Sequence, residues 1–390
     1  MRVGFFSDAF FPVIDGVVRV ADAYASRLVG KCDVTFFTPR TYGFKPGFDD
    51  AYPYEVVRSI SIMRRQDPYP QGFPQFDPRF IRRVKEAKLD LLHVHSAYPV
   101  GLFAKSFARR HGIPIVGTLH SDFRPDVYEV VGKLIGKPVV KLMMSVYNSC
   151  DECWTASRAV GEMFCRDYGL TAPWRVMPLS TDHTPVADRD AARAEINALY
   201  GLSDEDFVLS HVGRQDLQKR EDFILRTLAL LKEMPVNFKM LFIGAGIKQE
   251  FLKEMSARLG LSDRVIFCGA INDPALLMKH YARTDLLLFA SVSDTFGLVK
   301  IEAACQGTPT LCTRGAMAAD GITDNVNGFT EEDSESAFAA RIEEIYRNRE
   351  QLRRVGEGAF RDLYRTWDAI VDDVYANYQR IIENHNRTNK

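Results

Sequence analysis

Two carboxylates bracket a segment whose residues suit the binding of a phosphorylated sugar. Asp294 precedes a helical pattern that contains Glu302, and a strand-like run comes before both. A strand–loop–helix joint presents free backbone N–H groups and the positive end of a helix dipole, which attract phosphate. Because a helix rises about 1.5 Å per residue, roughly 10 Å separates the carboxylates, enough to hold a sugar at each end of a diphosphate. The spacing therefore predicts a nucleotide-sugar site.

A second loop supplies positive charge. Gly213 ends a strand-like run, and Arg214 and Lys219 follow within six residues. Arginine offers a two-pronged donor to phosphate and lysine a compact charge, so both can neutralise a diphosphate as its bond to a sugar breaks. Alone, such a loop is typical of a solvated surface. Its occurrence with the carboxylate segment favours the diphosphate interpretation.

A third strand-to-glycine turn contains Gly244 and Gly246. It lacks the third glycine of a dinucleotide fingerprint, which disfavours an NAD-dependent oxidoreductase. The turn is either a tight connection or a place where a nucleotide approaches the backbone.

In the first half of the chain, a glycine and several histidines follow strand-like runs. Gly16 precedes a helical pattern, where its N–H can face a diphosphate or a reacting sugar. His93 and His95 share one face of a strand, and because no third ligand has the spacing of a metal site, zinc is disfavoured. His120 follows a strand at the edge where ligands bind, and it either contacts a bound sugar or fills space.

Apolar runs alternate with amphipathic segments along all 390 residues, which predicts an α/β fold with parallel sheets covered by helices. Two successive doubly wound units are expected on either side of a proline-containing linker at 177–187. Ligands of such folds bind at the carboxyl ends of the strands, so we expect a cleft there. The last helical pattern, 366–382, belongs to the second unit or crosses back to the first.

Composition indicates a globular protein, with 46% hydrophobic and 26% charged residues. No apolar run approaches the ~20 residues of a membrane span, and the first residues suggest a strand instead of a signal peptide. The seven cysteines are scattered, which favours a reduced, cytoplasmic setting. The C-x-x-C of Cys150 and Cys153 has no matching second pair, so we expect buried structural thiols.

Charge is spread unevenly along the chain. Residues 1–180 hold 24 Lys and Arg against 18 Asp and Glu, whereas the remainder is acidic. Residues 128–147 interleave lysines with bulky apolar side chains, and 79–88 add further cations. A basic amphipathic surface of this kind rests on an anionic membrane or is an ordinary core-facing helix. Both alternatives stay open.

These motifs together resemble the retaining glycosyltransferases of family 4. The resemblance rests on the Gly-Arg-x4-Lys loop at 213–219, the acidic-x7-Glu segment at 294–302, Gly16 and His120. It implies the GT-B fold, in which two Rossmann-like doubly wound domains face a central cleft. It also implies that the C-terminal helix crosses back, so that the N-terminal acceptor-binding domain comprises 1–180 and 366–390. The nucleotide-sugar-binding domain would be 181–365.

The resemblance implies roles at matching positions. Arg214 and Lys219 would bind the donor diphosphate, Asp294 would grip hydroxyls of the transferred sugar, and His120 would contact that sugar near its reacting carbon. Glu302 would hold the ribose. The other expected donor-binding residues are Gly16, Gly213, Gly244, Gly246, Phe296, Gly297 and the N–H groups of Leu298 and Val299, with Cys268, Gly269, Ala270 and Ile271 at the base. The expected acceptor-side residues are Asp8, His95, Asp122 and Tyr128.

Three positions depart from the family pattern. The first acidic residue is usually Glu, and here it is Asp294, one methylene shorter, which leaves the sugar open. Gln218 stands where Glu usually precedes the lysine, and Asp15-Gly16 stands where two glycines are frequent. The fold prediction does not depend on the last two.

The resemblance also implies partners. The donor would be a nucleotide-diphosphate sugar, with UDP favoured, and no metal or other cofactor is expected. The motifs around Asp8 and His120 are similar to those of enzymes that glycosylate membrane lipids such as diacylglycerol. A polysaccharide or undecaprenyl-linked acceptor is the alternative, and no nucleic acid is expected. A cytoplasmic location follows, with peripheral contact to the inner face of the membrane. Two other classes fit the same site: a sugar-nucleotide 2-epimerase and a non-catalytic binding module.

Overall fold

The computed structural model describes residues 1–13, 16–41, 44–45, 47–62, 70–120 and 122–388. Asp15 and Ser121, which belong to two of the motifs above, lie outside the described residues. The chain divides into two compact units, one formed by Met1–Leu179 with Trp367–Lys390 and the other by Ser180–Thr366.

The first unit is built on a parallel sheet of seven strands in the order β3-β2-β1-β6-β7-β8-β9. Its strands are β1 (Arg2–Phe6), β2 (Asp33–Pro39), β3 (Glu55–Ser59), β4 (Ser61–Ile62), β5 (Gln71–Gly72), β6 (Leu91–Val94), β7 (Ile115–Leu119), β8 (Glu152–Thr155) and β9 (Trp174–Val176). Strands β4 and β5 form a separate antiparallel pair. Its helices are α1 (Gly16–Leu28), α2 (Pro78–Glu86), α3 (Pro99–His111), α4 (Arg124–Tyr147) and α5 (Arg158–Tyr168). The central strands β6, β7 and β8 are buried along their whole length, as parallel strands covered on both faces must be.

The second unit has a parallel sheet of six strands in the order β12-β11-β10-β13-β14-β15. The strands are β10 (Phe207–Val212), β11 (Phe238–Ile243), β12 (Val265–Gly269), β13 (Leu286–Phe289), β14 (Thr310–Thr313) and β15 (Phe329–Glu331). The helices are α6 (Arg189–Tyr200), α7 (Glu221–Leu231), α8 (Gln249–Arg258), α9 (Pro274–Arg283), α10 (Leu298–Cys305), α11 (Glu335–Arg347) and α12 (Arg349–Leu363). Buried Phe, Leu, Ile and Val from the strands and from α7, α8 and α11 form its main core.

Each sheet has one point at which the strand order reverses. In the first unit, β1 pairs with both β2 and β6. In the second, β10 pairs with both β11 and β13. The connections that leave the two central strands at such a point run to opposite sides and open a crevice at the carboxyl ends. The two crevices are therefore where ligand-binding loops are expected.

The last helix, α13 (Trp367–Thr388), packs on the first unit. The hydroxyl of Tyr378 lies 2.5 Å from Nδ1 of buried His93. The Arg380 guanidinium donates to both oxygens of Glu152, at 2.8 and 2.7 Å. These contacts tie α13 to β6, the middle strand of the seven-stranded sheet, and to β8.

Helix α4 is longer than the sequence pattern indicates. The pattern predicts a helix from Lys137, whereas α4 begins at Arg124. Gly132 has non-helical backbone angles (φ 75°, ψ 160°) inside the helix, and Pro138 also lies within it. Both residues normally end helices, but here the chain bends at Gly132 and resumes the helix.

Candidate functional site

Lys219 and Asp294 form an ion pair at the strand-order reversal of the second unit. Lys219 lies in the loop after β10 and Asp294 in the loop after β13, and these two strands are neighbours in the sheet. The side chains remain 26% and 19% exposed. A cation and a carboxylate therefore meet at the edge where α/β folds bind ligands.

Further contacts join the same two loops. Arg220, in the left-handed backbone region at φ 61°, donates to the Ala290 carbonyl at 3.3 Å and pairs with Asp333 at 2.6 Å. The Ser293 hydroxyl donates to the Gln218 carbonyl at 3.3 Å. The loops are thus cross-linked on both sides of the Lys219–Asp294 pair, which limits their freedom to move apart.

Several buried acceptor atoms of this region have no hydrogen-bond partner among the described residues, and two of them concern the site most directly. One is Oδ2 of Asp294, and the other is Nε2 of His211. Nδ1 of His211 lies 3.1 Å from the Leu288 carbonyl, and burial lowers the pKa of His211 to about 4. The imidazole is therefore neutral, with its proton on Nδ1 and its Nε2 lone pair unused. Unsatisfied buried polar atoms are uncommon in folded proteins, so they point to a ligand or water.

The glycines of the two neighbouring turns allow backbone to pass against backbone. A Cβ on Gly244, which has φ 133°, would lie 1.9 Å from the Gly213 carbonyl oxygen. A Cβ on Gly246 would lie 2.2 Å from the Gln215 carbonyl oxygen. The Gln215 side chain donates to the Gly244 carbonyl at 3.0 Å. The Gly244–Gly246 turn therefore packs against the backbone of the loop that contains Gly213 and Lys219.

Helix α10 begins beside the ion pair. Gly297 caps it with φ 74°, and a Cβ at that position would lie 2.5 Å from the Phe289 ring. Only glycine fits this turn without displacing the ring. The N–H groups of Leu298 and Val299 are in the first turn of the helix, where no intrahelical acceptor is available. They can therefore meet a phosphate.

Lys300, in the same helix, is buried and has a structural role. Its ammonium donates to the carbonyls of Ala318 at 2.6 Å and Asp320 at 2.8 Å, and it lies 4.8 Å from the centre of the Phe296 ring. Burial lowers the pKa of Lys300. This lysine fixes the segment after β14 against the start of α10, and the Phe296 ring is part of that packing.

Glu302 has two neighbours that the sequence pattern did not indicate. The buried Tyr281 hydroxyl donates to its Oε2 at 2.8 Å, and Nε2 of His183 lies 3.9 Å from its Oε1. Tyr281 is in α9, and His183 follows the start of the second unit. Tyr281 thus holds one oxygen of the Glu302 carboxylate, and the other oxygen can accept a hydrogen bond from a ligand.

Arg214 differs from Lys219 in its surroundings. Its Nε lies 2.7 Å from Oδ2 of Asp216 in the same loop, and its side chain is 69% exposed. The expected role of Arg214 at a diphosphate stays a prediction. Its exposure leaves it free to turn towards a ligand at modest cost.

The segment expected at the base begins at the end of β12. Gly269 has φ 75°, and its carbonyl accepts from the Gly244 N–H at 2.8 Å. Cys268 and Ile271 pack on a small cluster that includes buried Ile243, whereas Ala270 is exposed. The segment therefore adjoins the Gly244 turn, and its part in base recognition stays a prediction.

In the first unit, Asp8 lies at the corresponding strand-order reversal. Its carboxylate accepts from the Val100 N–H and from the Ser96 hydroxyl, both at 2.8 Å. Burial raises the pKa of Asp8 to about 6, although these hydrogen bonds oppose the shift. Asp8 therefore joins the loops after β1 and β6.

His93, His95 and His120 form one cluster beside β1, the strand that precedes Asp8. Nδ1 of His95 lies 3.1 Å from Nε2 of His120, and the rings of His93 and His95 are 4.1 Å apart. Nε2 of His93 lies 2.6 Å from the Thr118 hydroxyl. Burial lowers the pKa of all three imidazoles, that of His120 to about 4. The contact of His120 with a sugar stays a prediction.

The other residues expected on the acceptor side make contacts within the first unit, and their part in binding an acceptor stays a prediction. Asp122 accepts from the Tyr168 hydroxyl and from the Arg124 N–H, the latter at 3.1 Å, and so orders the start of α4. The Tyr128 ring packs where a Cβ on Gly136 would come within 2.4 Å of it. Gly16, expected on the donor side, is the first residue of α1, and among the described residues no atom beyond its chain neighbours and the backbone of its own helix lies within 4 Å of a Cβ built there.

Helix α4 exposes large apolar side chains. Val130 is 83% exposed, Leu134 89% and Ile135 60%, and the lysines at 133, 137 and 141 are exposed beside them. No helix among the described residues is long and apolar enough to cross a bilayer. The exposed patch is thus an apolar surface edged by positive charge.

The described part of the chain contains no group of three or more His, Cys, Asp or Glu side chains that could hold a metal ion. Independence from metal ions stays a prediction.

Comparisons with known proteins agree with this arrangement. A family model described as "Glycosyltransferase Family 4" matches residues 14–184, and one described as "Glycosyl transferases group 1" matches 192–362. HepE of Anabaena, solved in complex with UDP, has a TM-score of 0.76 and 18% identity, covering 97% of this chain and 100% of that one. The two Rossmann-like units thus define an α/β protein of the GT-B type. The chain belongs to glycosyltransferase family 4.

Two relatives extend over most of the chain. An alpha-monoglucosyldiacylglycerol synthase of Streptococcus pneumoniae is 25% identical over 342 residues, which cover 84% of this chain and 74% of that protein. A D-inositol 3-phosphate glycosyltransferase of Nocardia farcinica is 29% identical over 370 residues, covering 87% and 78%.

Proposed function

We propose that this glycosyltransferase moves a hexose from a UDP-sugar to a hydroxyl group of a membrane lipid such as diacylglycerol, with retention of configuration at the sugar. The Lys219–Asp294 pair carries the proposal, because it combines a cation with a buried carboxylate oxygen that lacks a partner. The Lys219 ammonium can bind a diphosphate. The unpartnered Asp294 oxygen can accept a hydrogen bond from a sugar hydroxyl.

The groups around the ion pair support the proposed binding of a UDP-sugar. The first-turn N–H groups of α10 and the ammonium of Lys219 attract phosphate. Glu302, with one oxygen held by Tyr281, keeps the other for a ribose hydroxyl. UDP is favoured as the nucleotide because the structurally similar HepE was solved in complex with UDP.

The proposed reaction has two reactants, the donor and the acceptor. The bond between the anomeric carbon and the diphosphate oxygen breaks, and a new bond to the acceptor oxygen forms on the same face of the sugar. The acceptor proton passes to the departing phosphate oxygen. Arg214, Lys219 and the N–H groups of Leu298 and Val299 stabilise the negative charge that grows on the diphosphate.

Helix α4 and one relative support the proposed membrane-lipid acceptor. Exposed Val130, Leu134 and Ile135 can enter the interface of a bilayer, while the neighbouring lysines meet anionic headgroups. The S. pneumoniae relative is named for a diacylglycerol glycolipid. We therefore propose peripheral attachment to the inner face of the membrane. The N. farcinica relative, named for inositol 3-phosphate, makes a polyol phosphate the second candidate acceptor.

A two-stage experiment tests this function. First, thermal shifts with UDP-, GDP- and ADP-glucose identify the donor, because a ligand that binds only the folded state raises the melting temperature. We expect the largest rise with UDP-glucose. Second, radiolabelled donor is incubated with anionic vesicles containing diacylglycerol, with inositol 3-phosphate, or with no acceptor.

We expect label in the lipid fraction. Label in a polyol phosphate would replace the lipid acceptor with the second candidate. A new sugar nucleotide formed without any acceptor would identify an epimerase. Donor binding without turnover under all conditions would identify a binding module.

A further inference from the structure

His183 lies beside Glu302 without bonding directly to it. Nε2 of His183 is 3.9 Å from Oε1 of Glu302, which exceeds the length of a hydrogen bond. Both side chains retain some contact with solvent, at 19% and 17% exposure. The two atoms are thus too far apart for a direct hydrogen bond but close enough to share one bridging atom.

One oxygen atom can bridge Nε2 of His183 and Oε1 of Glu302. An oxygen placed at about 2.8 Å from each of two atoms that are 3.9 Å apart subtends an angle of roughly 90°, which a hydroxyl group tolerates. Such a hydroxyl donates to the carboxylate oxygen and accepts from the imidazole N–H. The Tyr281 hydroxyl already occupies Oε2 of Glu302, so Oε1 is the oxygen left for this contact.

The backbone holds His183 in place on α10. Its carbonyl accepts from the Tyr364 hydroxyl at 3.2 Å and from the Cys305 thiol at 3.5 Å. One residue later, the Thr184 carbonyl accepts from the Gln306 amide at 3.0 Å. The backbone at His183 and Thr184 is therefore fixed by contacts with the end of α10, the helix that carries Glu302, and with Tyr364 after α12.

We propose that His183 is a donor-binding residue that shares one ribose hydroxyl with Glu302. The inference rests on the proposed function, in which Glu302 holds the ribose of a nucleoside diphosphate. His183 lies outside the strand-end loops that form the rest of the proposed donor site. Its contact with the ribose would also affect specificity. A nucleotide that lacks this hydroxyl leaves both the carboxylate oxygen and the imidazole without their partner, and such sites reject the deoxy analogue.

Calorimetric titration with UDP, 2′-deoxy-UDP and 3′-deoxy-UDP tests the assignment. For the wild-type protein we expect one of the two deoxy analogues to bind about 5- to 20-fold more weakly than UDP. His183→Ala should weaken UDP by about 3- to 10-fold, yet bind that same analogue as the wild-type protein does, because the contact is already lost. His183→Gln, which keeps an N–H donor, should recover part of the loss. His111→Ala, on α3, is the matched control and should change nothing.

Other results would overturn the assignment. If His183→Ala weakens all three ligands equally, or none of them, His183 does not touch a ribose hydroxyl. If Glu302→Ala also leaves UDP binding unchanged, the proposed donor site itself is wrong. If only Glu302→Ala has an effect, the donor site stands and the role of His183 fails. Absence of UDP binding to the wild-type protein would contradict both.

Discussion

The ammonium of Lys219 pairs with Oδ1 of Asp294 across two loops that are 75 residues apart in sequence. The loops meet because β10 and β13 are neighbouring parallel strands whose carboxyl ends share one edge of the sheet. The pair leaves the second Asp294 oxygen buried and without a partner among the described residues. One contact thus places a cation beside a buried carboxylate oxygen, the two groups that the proposed function assigns to the diphosphate and to the transferred sugar.

Replacing Lys219 should impair turnover more than folding. Lys219→Met removes the charge next to the proposed diphosphate while keeping a long side chain, so we expect kcat to fall by about 10²- to 10³-fold. The melting temperature should change little, because the pair is partly exposed. Initial rates with UDP-glucose and thermal unfolding measure both. Arg353→Met, at an exposed pair on α12, is the control. Wild-type rates in Lys219→Met would remove Lys219 from the site.

Lengthening the carboxylate at 294 should change the choice of sugar. Asp294→Glu moves the acceptor oxygens outward by one methylene, so a different hydroxyl comes within hydrogen-bond distance. We expect the ratio of kcat/KM for UDP-glucose to that for UDP-galactose to change by about tenfold or more, as expected for gain or loss of a buried hydrogen bond. An unchanged ratio, with either sugar turned over, would mean that Asp294 does not read the sugar.

Two facing glycines should differ in their tolerance of a methyl group. Gly244→Ala places a Cβ 1.9 Å from the Gly213 carbonyl oxygen and needs a left-handed backbone, so we expect a loss of at least about 1–3 kcal/mol in the free energy of unfolding. Gly213→Ala meets its nearest atoms at 3.5 and 3.6 Å and should fold normally. Chemical denaturation of both variants provides the comparison. Equal stability would show that the turn is not packed as described.

The histidine cluster should make the first unit sensitive to acid. Burial lowers the pKa of His120 from 6.5 to about 4, so between these values the unfolded chain binds a proton that the folded chain does not. Stability is therefore lost as the pH falls from about 6.5 to 4. His93 and His95 act in the same direction. The raised pKa of Asp8 acts oppositely, adding stability as the pH falls from about 6 to 3.8.

His120→Gln removes one of these contributions. We expect its drop in melting temperature between pH 7.5 and pH 5 to be roughly 2–6 °C smaller than that of the wild-type protein, since partial exposure moderates the effect. Differential scanning calorimetry at the two pH values measures the drop. The same drop in both proteins would show that His120 titrates normally in the folded state.

The exposed face of α4 should matter for vesicles and not for folding. Leu134→Glu replaces an 89% exposed side chain, so the free energy of unfolding should stay within about 0.5 kcal/mol. Loss of apolar contact and the added negative charge should weaken binding to anionic vesicles by about tenfold or more. Co-sedimentation at low salt measures binding, with Leu199→Glu, exposed on α6, as the control. Equal binding by both variants would place the membrane contact elsewhere.

Much of the fold follows from local sequence pattern. The sequence pattern predicts strands at 207–212, 238–243 and 286–289, and the structure has strands with the same bounds, because each segment is rich in apolar residues and is followed by a turn or loop. The sequence pattern does not predict the three-residue strand β9, because this strand is mostly exposed and lacks an apolar run. The pattern does not predict helix α12 either. Its Gly356 and Gly358 weaken the helical pattern, yet a Cβ on either would lie within 2.3 Å of a backbone oxygen.

The site was predictable only in part. Lys219, Asp294 and Glu302 follow strands or begin helices, so their spacing indicates a phosphate and sugar site. Tyr281 and His183 reach Glu302 through the packing of α9 and of the segment after Leu179 against α10. No local periodicity indicates such contacts, because they arise from tertiary packing between distant segments.

The anomeric configuration of the product tests the central claim most directly. The protein is incubated with UDP-α-glucose and vesicles containing diacylglycerol, and the purified glycolipid is analysed by proton NMR. Retaining transfer to the lipid hydroxyl predicts an α-glucosyl lipid, with the small anomeric coupling of that configuration. A β-glucosyl lipid would contradict retention, and the absence of any glucosyl lipid, with glucose found on another acceptor, would contradict the proposed lipid acceptor.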